Sequence, residues 1–311
     1  MVKLLPSWHE GPARTAIIEF VQAVTAENGE HYVAPDDRLA VFDNDGTLWS
    51  EQPVYFQLQF ALDRLEEMAL DHPQWSSTQP YQAALEHDVP TLAAIGKKGI
   101  AELLAVTHTG MTTEEFEDIV LHWMDSARHP DTGRPFTQMV FQPMLELLSY
   151  LRANGFTPYI VSGGGIEFMR PWTEEIYGIP PQQVIGTSIE TQLETQDGRP
   201  VLMRQPLLNH YDDGPGKPVG INRYIGRRPI FAFGNSDGDL QMLQWTAAGE
   251  GLRFCGLVHH NDPEREYAYD RGSVIGGLDK AWDEALDKGW TLVDMKNDWK
   301  RVFPFADGKN G

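Results

Sequence analysis

The sequence predicts an α/β fold, with a mostly parallel sheet covered by helices on both faces and an all-helical insertion. Three observations carry that expectation. Short apolar runs of strand length alternate with segments of helical period, the pattern of parallel strands joined by crossovers. From Pro53 to Thr132 the spacing is helical, with no convincing strand. Three of the strand-like runs break off into small polar residues, as happens at the carboxyl edge of a parallel sheet. At 311 residues, the chain suits a core domain plus a smaller one.

The elements follow in order. Ile17, Ile18, Phe20, Val21 and Val24 cover one face of a first helix. Arg38-Leu-Ala-Val-Phe42 is a strand that stops at Asp43-Asn44-Asp45-Gly46-Thr47. Within the insertion, Leu58, Ala61, Leu62 and Leu65 mark one helix, and Phe116, Ile119, Val120 and Trp123 mark another. The second begins at Thr112, an N-cap with Glu115 in the capping-box position. His129 to Pro135 is a turn-rich exit. Pro143 to Ala153 is an amphipathic helix closed by Asn154-Gly155. Thr157 to Val161 is a strand running into Ser162-Gly163-Gly164-Gly165. Residues 183–185, 229–233 and 254–258 are further short strands, and 190–194 with 200–203 form a hairpin through Asp197-Gly198. The expected division is a core of 1–50 and 135–311, with a helical domain of 51–134 between them.

Composition excludes several classes of partner. Acidic residues number 45 against 25 basic, a net charge of −20. Nucleic-acid polymers need clustered Lys and Arg to displace counterions, and anionic membranes need the same, so neither is an expected partner. Cys255 is the sole cysteine and has no internal partner for a disulfide. No window reaches the ~18 apolar residues of a membrane span, and the first residues lack a signal-like apolar stretch. The expectation is a soluble cytoplasmic protein, with the periplasm as the alternative if a signal peptide is missing from this chain.

Chemistry concentrates in four sequences: Asp43-Asn44-Asp45-Gly46-Thr47, Ser162-Gly163-Gly164-Gly165, Gly214-Pro215-Gly216-Lys217 and Gly234-Asn235-Ser236-Asp237-Gly238-Asp239. Two carboxylates two residues apart at a strand end can divide into a nucleophile and an acid/base. Glycines let backbone N–H groups approach an anion, and several crowded carboxylates call for a hard divalent cation, for which Mg²⁺ fits best. Neither acidic motif keeps the Gly and Glu spacing of a calcium loop.

This ordered set resembles the haloacid-dehalogenase superfamily, nearest to its phosphoserine-phosphatase-like branch with a helical C1-type cap. The likeness covers the core; the insertion resembles a cap only in position and helical texture. It implies a HAD-like, Rossmann-like sheet core and a Mg²⁺-dependent phosphomonoester hydrolase working through an aspartyl-phosphate. The substrate implied is a small-molecule phosphomonoester, phosphoserine among the candidates, with the insertion as a lid that sets substrate choice. Asp43 is then the nucleophile and Asp45 the acid/base. Thr47, Ser162, Gly163 and Lys217 bind phosphate. The metal is held by Asp43, the Asp45 carbonyl and the first residue of the last motif, with Asp239 as the second acid. That first residue is Asn235 where the family has Asp, and Asp237 is an extra carboxylate that could compensate.

Other residues are weaker candidates. Glu51 lies near the place where phosphoserine phosphatases meet the substrate's amino group. Trp49 is expected to pack between core and insertion. His259-His260 suits a satisfied loop better than a metal site, and Lys97-Lys98 suits a solvated pair better than a Schiff-base lysine. The strong negative charge opposes an approaching phosphate and mildly favours a substrate with its own positive group. The alternatives are a metal-independent 2-haloacid dehalogenase or a phosphomutase of the same superfamily, and a non-catalytic binding or regulatory protein that kept the fold.

Overall fold

Every pairing but one in the seven-stranded sheet is parallel, in the order β4-β3-β2-β1-β5-β6-β7. The structure is a computed structural model that describes residues 4–306. Side chains at positions 89, 93, 97, 98, 100 and 101 are not described, so the Lys97-Lys98 pair lies outside the described residues. Chain order runs α1 (Pro12–Thr25), β1 (Leu39–Phe42), then the insertion helices α2 (Phe56–Ala69), α3 (Tyr81–Leu85), α4 (Val89–Ile95), α5 (Lys97–His108) and α6 (Thr113–Ser126). After it come α7 (Gln142–Ala153), β2 (Thr157–Gly165), α8 (Ile166–Tyr177), β3 (Val184–Gln196) and β4 (Arg199–His210). The last third holds α9 (Gly216–Tyr224), β5 (Phe231–Gly234), α10 (Leu240–Ala247), β6 (Phe254–His259), α11 (Lys280–Lys288), β7 (Thr291–Asp294) and α12 (Met295–Asp298).

The alternation of strand side chains explains why the sheet needs helices on both sides. In β1, Ala40 and Phe42 enter one buried cluster with α1, α7 and α8, while Val41 enters another with α9, α10 and α11. All four β1 residues are buried. Pro at the first turn of α1 and α7 costs no helical hydrogen bond there. The Thr112–Glu115 capping box forms as expected, with Glu115 N–H donating to Thr112 Oγ1 at 3.0 Å and Thr112 N–H to Glu115 Oε2 at 2.7 Å.

Among the described residues, the insertion contains helices and no strand. Its packing divides in two. Phe56, Phe60, Phe116 and Trp123 belong to the same cluster as Phe168 and Trp172 of α8, so α2 and α6 are continuous with the sheet's core. Leu65, Trp75, Ala83, Ala84, Leu92 and Leu103 form a separate small core further out. No helix of the described residues is long and apolar enough to cross a membrane.

Two elements differ from the sequence expectation. The short strand at 183–185 and the first hairpin arm are one strand, β3, whose start pairs with β2 and whose remainder pairs antiparallel with β4. Beyond Ile189 it lies largely in solvent, which breaks the apolar run that marks a core strand. The edge strand β7 was not anticipated; its four residues include a single fully buried one, Val293.

Candidate active site

Strand order brings the polar strand ends together. With β2 and β5 on either side of β1, the residues after all three meet at one sheet edge: Asp43 after β1, the Ser162 glycine run of β2, and Asn235 after β5. Asp43 N–H donates to Phe233 O at 2.9 Å, tying the first motif to β5. The run in β2 bulges between Ser162 and Gly165, bending it over the edge. Lys217 arrives from the first turn of α9.

Lys217 is the centre of the charge arrangement. Its Nζ donates to Asp43 Oδ1 at 2.7 Å and to Asp239 Oδ1 at 2.6 Å, with all three side chains buried. The other Asp239 oxygen accepts from the N–H groups of Asn235 (2.9 Å) and Ser236 (3.1 Å). Asp239 therefore fixes both the lysine and the last motif. Burial opposes the charge on Lys217, but Asp239 and Asp43 outweigh it and its pKa is raised. Burial likewise holds Asp43 well above the usual carboxylate range, Asp239 adding to the effect and Lys217 opposing it.

Asp45 is set apart from Asp43 by its partners. Trp49 Nε1–H donates to Asp45 Oδ1 at 2.9 Å, and Ser162 Oγ lies 3.4 Å from Oδ2. Burial raises the Asp45 pKa, and the Trp49 bond restrains the rise. Trp49 does pack between core and insertion, stacked on Trp172 at 4.5 Å and edge-on to Phe56 at 4.7 Å. It thus also orients a carboxylate.

Beneath the first motif is a second tight group. Asn235 Nδ2 donates to Glu51 Oε1 at 2.7 Å, Tyr269 OH donates to the same oxygen at 2.8 Å, and Thr47 Oγ1 donates to Asn235 Oδ1 at 3.1 Å. The Thr47 hydroxyl is therefore committed to Asn235, and Thr47 is absent from the cavity wall. Burial raises the Glu51 pKa well above its ordinary value, the Tyr269 bond opposing and Asp45 and Asp43 reinforcing. Gly46, at φ +72°, lets this group close up: a Cβ there would sit 2.0 Å from Asn235 Nδ2 and 2.4 Å from Glu51 Oε1.

A cavity of about 270 Å³ opens above these groups. Asp43, Asp45, Ser162, Gly163, Lys217 and Glu51 all line it. Sequence reasoning missed Tyr55, Gln57, Leu104, Tyr211, Asp213 and Ser236 on the same wall. Asp213 was within reach of it, four residues before Lys217 in the same glycine-rich loop. Gln57 carries no motif; only folding brings its Oε1 to Gly165 N–H at 2.6 Å.

Two expectations about neighbouring acids and histidines resolve differently. Asp237 does not compensate for Asn235: its Oδ1 accepts from Asp279 N–H and Ala281 N–H, both at 2.9 Å, anchoring the approach to α11. His260 is satisfied by Gly46 O at 2.7 Å and Glu266 Oε2 at 3.0 Å, and stacks on Tyr269. His259 packs edge-on to Trp282. Among the described residues no three His, Cys, Asp or Glu side chains converge as a metal cage.

A hard divalent cation nonetheless suits this edge. Asp43 and Asp239 share the Lys217 ammonium, and Asp43, Asp45 and Glu51 have pKa values raised by burial, a crowding of desolvated carboxyl groups. The donors are all oxygens. A protein ligand set would draw on the Asp43 oxygen that Lys217 leaves open, a backbone carbonyl, and the Asn235 carboxamide oxygen, which would serve alongside the Thr47 hydroxyl that it already accepts from.

A family model described as haloacid dehalogenase-like hydrolase matches residues 40–244, a span that runs from β1 through the last motif. The chain belongs to the haloacid dehalogenase-like hydrolase family. Among solved structures, this hydrolase-family chain is similar to a protein of unknown function from Bordetella pertussis Tohama I. They share 16% identity over 83% of this chain and 98% of that one, with a TM-score of 0.53. A conserved, functionally unknown protein from Anaerococcus prevotii DSM 20548 matches at 16% identity over 94% of each chain, with a TM-score of 0.52. A phosphoserine phosphohydrolase-like protein from Francisella tularensis matches at 16% identity over 71% and 87%, with a TM-score of 0.39. No curated protein matches. The first two likenesses speak to the fold, a Rossmann-like parallel sheet with flanking helices.

Proposed function

We propose that this haloacid dehalogenase-like hydrolase is a Mg²⁺-dependent phosphatase of small-molecule phosphomonoesters, working through an aspartyl-phosphate on Asp43. The observation that carries the reading is the division of labour between two carboxylates on one small cavity. Asp43 faces it beside the Lys217 ammonium, and Asp45 faces it with an indole N–H and a raised pKa. An Asp43 oxygen attacks phosphorus while the ester oxygen leaves, taking a proton from Asp45. Water then attacks the acyl-phosphate's phosphorus, giving a proton to Asp45, and inorganic phosphate departs as the Asp43 carboxylate is restored. Lys217, Ser162 and the Gly163 backbone hold the phosphoryl oxygens. Mg²⁺, held by Asp43, the Asp45 carbonyl and Asn235, would supply charge for the phosphoryl oxygens. Asp239, Thr47 and Glu51 keep Lys217 and Asn235 in position. Residues 51–134 are the cap, and 1–50 with 135–311 the core.

The test is phosphate release from a panel of monoesters by wild type and Asp43→Asn, with Mg²⁺ and after EDTA. Turnover that needs Mg²⁺ and vanishes in Asp43→Asn, with the circular dichroism spectrum kept, is the expected result. Metal-independent chloride release from a 2-haloacid would establish the dehalogenase instead. Retained hydrolysis in Asp43→Asn would remove the mechanism.

A further inference from the structure

Beside the reaction cavity lies a second, half-open chamber of about 370 Å³, bounded by α5, the start of α8 and the β3–β4 hairpin. The two are continuous: Gln57, Leu104, Gly163 and Tyr211 line both. Its walls are chiefly Leu104, Phe116, Phe168, Ile189, Leu207 and Leu208. The polar side chains among them already have protein partners. Thr187 Oγ1 donates to Gly163 O at 2.8 Å and Thr109 Oγ1 to Ala105 O at 2.6 Å. Gln57 is held between Gly165 N–H and His108 Nε2. Arg204 pairs with Glu167, donates from Nε to His108 O at 2.7 Å and lies over the Phe116 ring. Tyr211 OH donates to Asp213 at 3.2 Å.

We propose that this chamber is the leaving-group subsite, and that it selects phosphomonoesters of uncharged, apolar alcohols. The inference rests on the phosphatase reading above and goes on to name its substrate class. A charged leaving group such as serine would give up its water to a wall whose donors and acceptors are already paired, at a cost that hydrophobic contact does not recover. Burial beside Arg204 and Arg64 depresses His108 to about 3, so the imidazole is neutral and offers no charge to a zwitterion. An apolar body gains from every wall it covers. The hairpin, which extends beyond the parallel sheet, supplies the outer wall through Ile189, Leu207 and Leu208.

The test compares 2-phenylethyl phosphate, propyl phosphate and O-phosphoserine with Mg²⁺ present. The first two release alcohols of similar acidity, so their ratio reports the subsite and not the chemistry. The expected kcat/KM for the phenylethyl ester is about tenfold or more above that for propyl phosphate, with O-phosphoserine lower still. Leu208→Glu, at a largely exposed hairpin position, and Ile189→Glu, at its cross-strand partner, line the second chamber and not the reaction cavity; each should collapse that ratio toward one and leave propyl phosphate turnover unchanged. Equal turnover of the two alkyl esters, faster turnover of O-phosphoserine, or a ratio unmoved in both variants overturns this proposal and leaves the phosphatase intact. Absence of turnover on all three esters overturns the phosphatase reading and the subsite with it.

Discussion

Trp49→Phe is the sharpest perturbation of the proposed acid/base. The indole N–H donates to Asp45 Oδ1 at 2.9 Å, whereas the other side-chain partner, Ser162, is longer at 3.4 Å. A hydrogen bond to a charged group contributes about 1.5–3 kcal/mol. At 1.36 kcal/mol per pKa unit, its loss raises the Asp45 pKa by about one to two units. Asp45 must be protonated to deliver a proton to the leaving oxygen, so kcat/KM falls as pH rises through that pKa. The alkaline limb of the profile should therefore move upward by about one to two units in the variant, measured on a generic phosphomonoester with saturating Mg²⁺. Phenylalanine keeps part of the contact with Trp172 and Phe56 but shrinks the ring, so some stability is lost as well. Trp172→Phe separates the two effects, since it loosens the same stack and leaves the Trp49 N–H in place. It should lower stability without moving the limb. An unmoved limb in Trp49→Phe, or an equal displacement in Trp172→Phe, would refute the assignment.

Two further outcomes follow from the buried charges. Lys217→Met strands Asp43 and Asp239 in the interior, and at pH 7 it should destabilise the fold by about 3–5 kcal/mol in urea titrations. The loss should shrink in acid as the carboxylates protonate; a neutral-pH loss below about 1 kcal/mol would mean that the pair is better solvated than its burial implies. Asp212, fully buried beside His210, has its pKa pushed up by burial to about 6, above the ordinary 3.8. The native state then keeps a proton that the unfolded chain releases, so this residue lowers stability as pH rises from about 4 to 6, by roughly 3 kcal/mol in total. Asp212→Asn should flatten that part of the stability profile, and an identical slope in both proteins would count against the burial effect.

How much was legible follows from where each residue gets its neighbours. Asp43, Asp45, Ser162 and Asn235 could be brought to one edge because each sits at or beside the end of a strand whose apolar pattern is local, and a parallel sheet aligns such ends; Lys217, at the start of a helix not read from the sequence, entered through the resemblance. The roles of Thr47 and Asp237 were not legible, because a hydroxyl or carboxylate in a motif reveals nothing of its partner. One turns to Asn235, and the other to backbone N–H groups more than forty residues away. Gln57 and Leu104 reach the cavity only through packing of the insertion. The hairpin's union with the sheet was hidden by solvent exposure, which leaves Leu193 as the one apolar residue over 190–196.

The divided packing of the insertion bears on how a substrate enters. Rotating the whole insertion as a rigid door would tear Phe56, Phe60, Phe116 and Trp123 from Phe168 and Trp172, exposing several aromatic faces to water at once. The small outer core around Leu65, Trp75 and Leu103 is built on α2 itself, and the hairpin is tied to the insertion through Arg204, whose Nε donates to His108 O and whose backbone pairs with Gly110 and Met111. The aromatic floor and the Arg204 tie together fix the walls around Asp43 and Asp45, so the cavity that a substrate enters has its shape set beforehand.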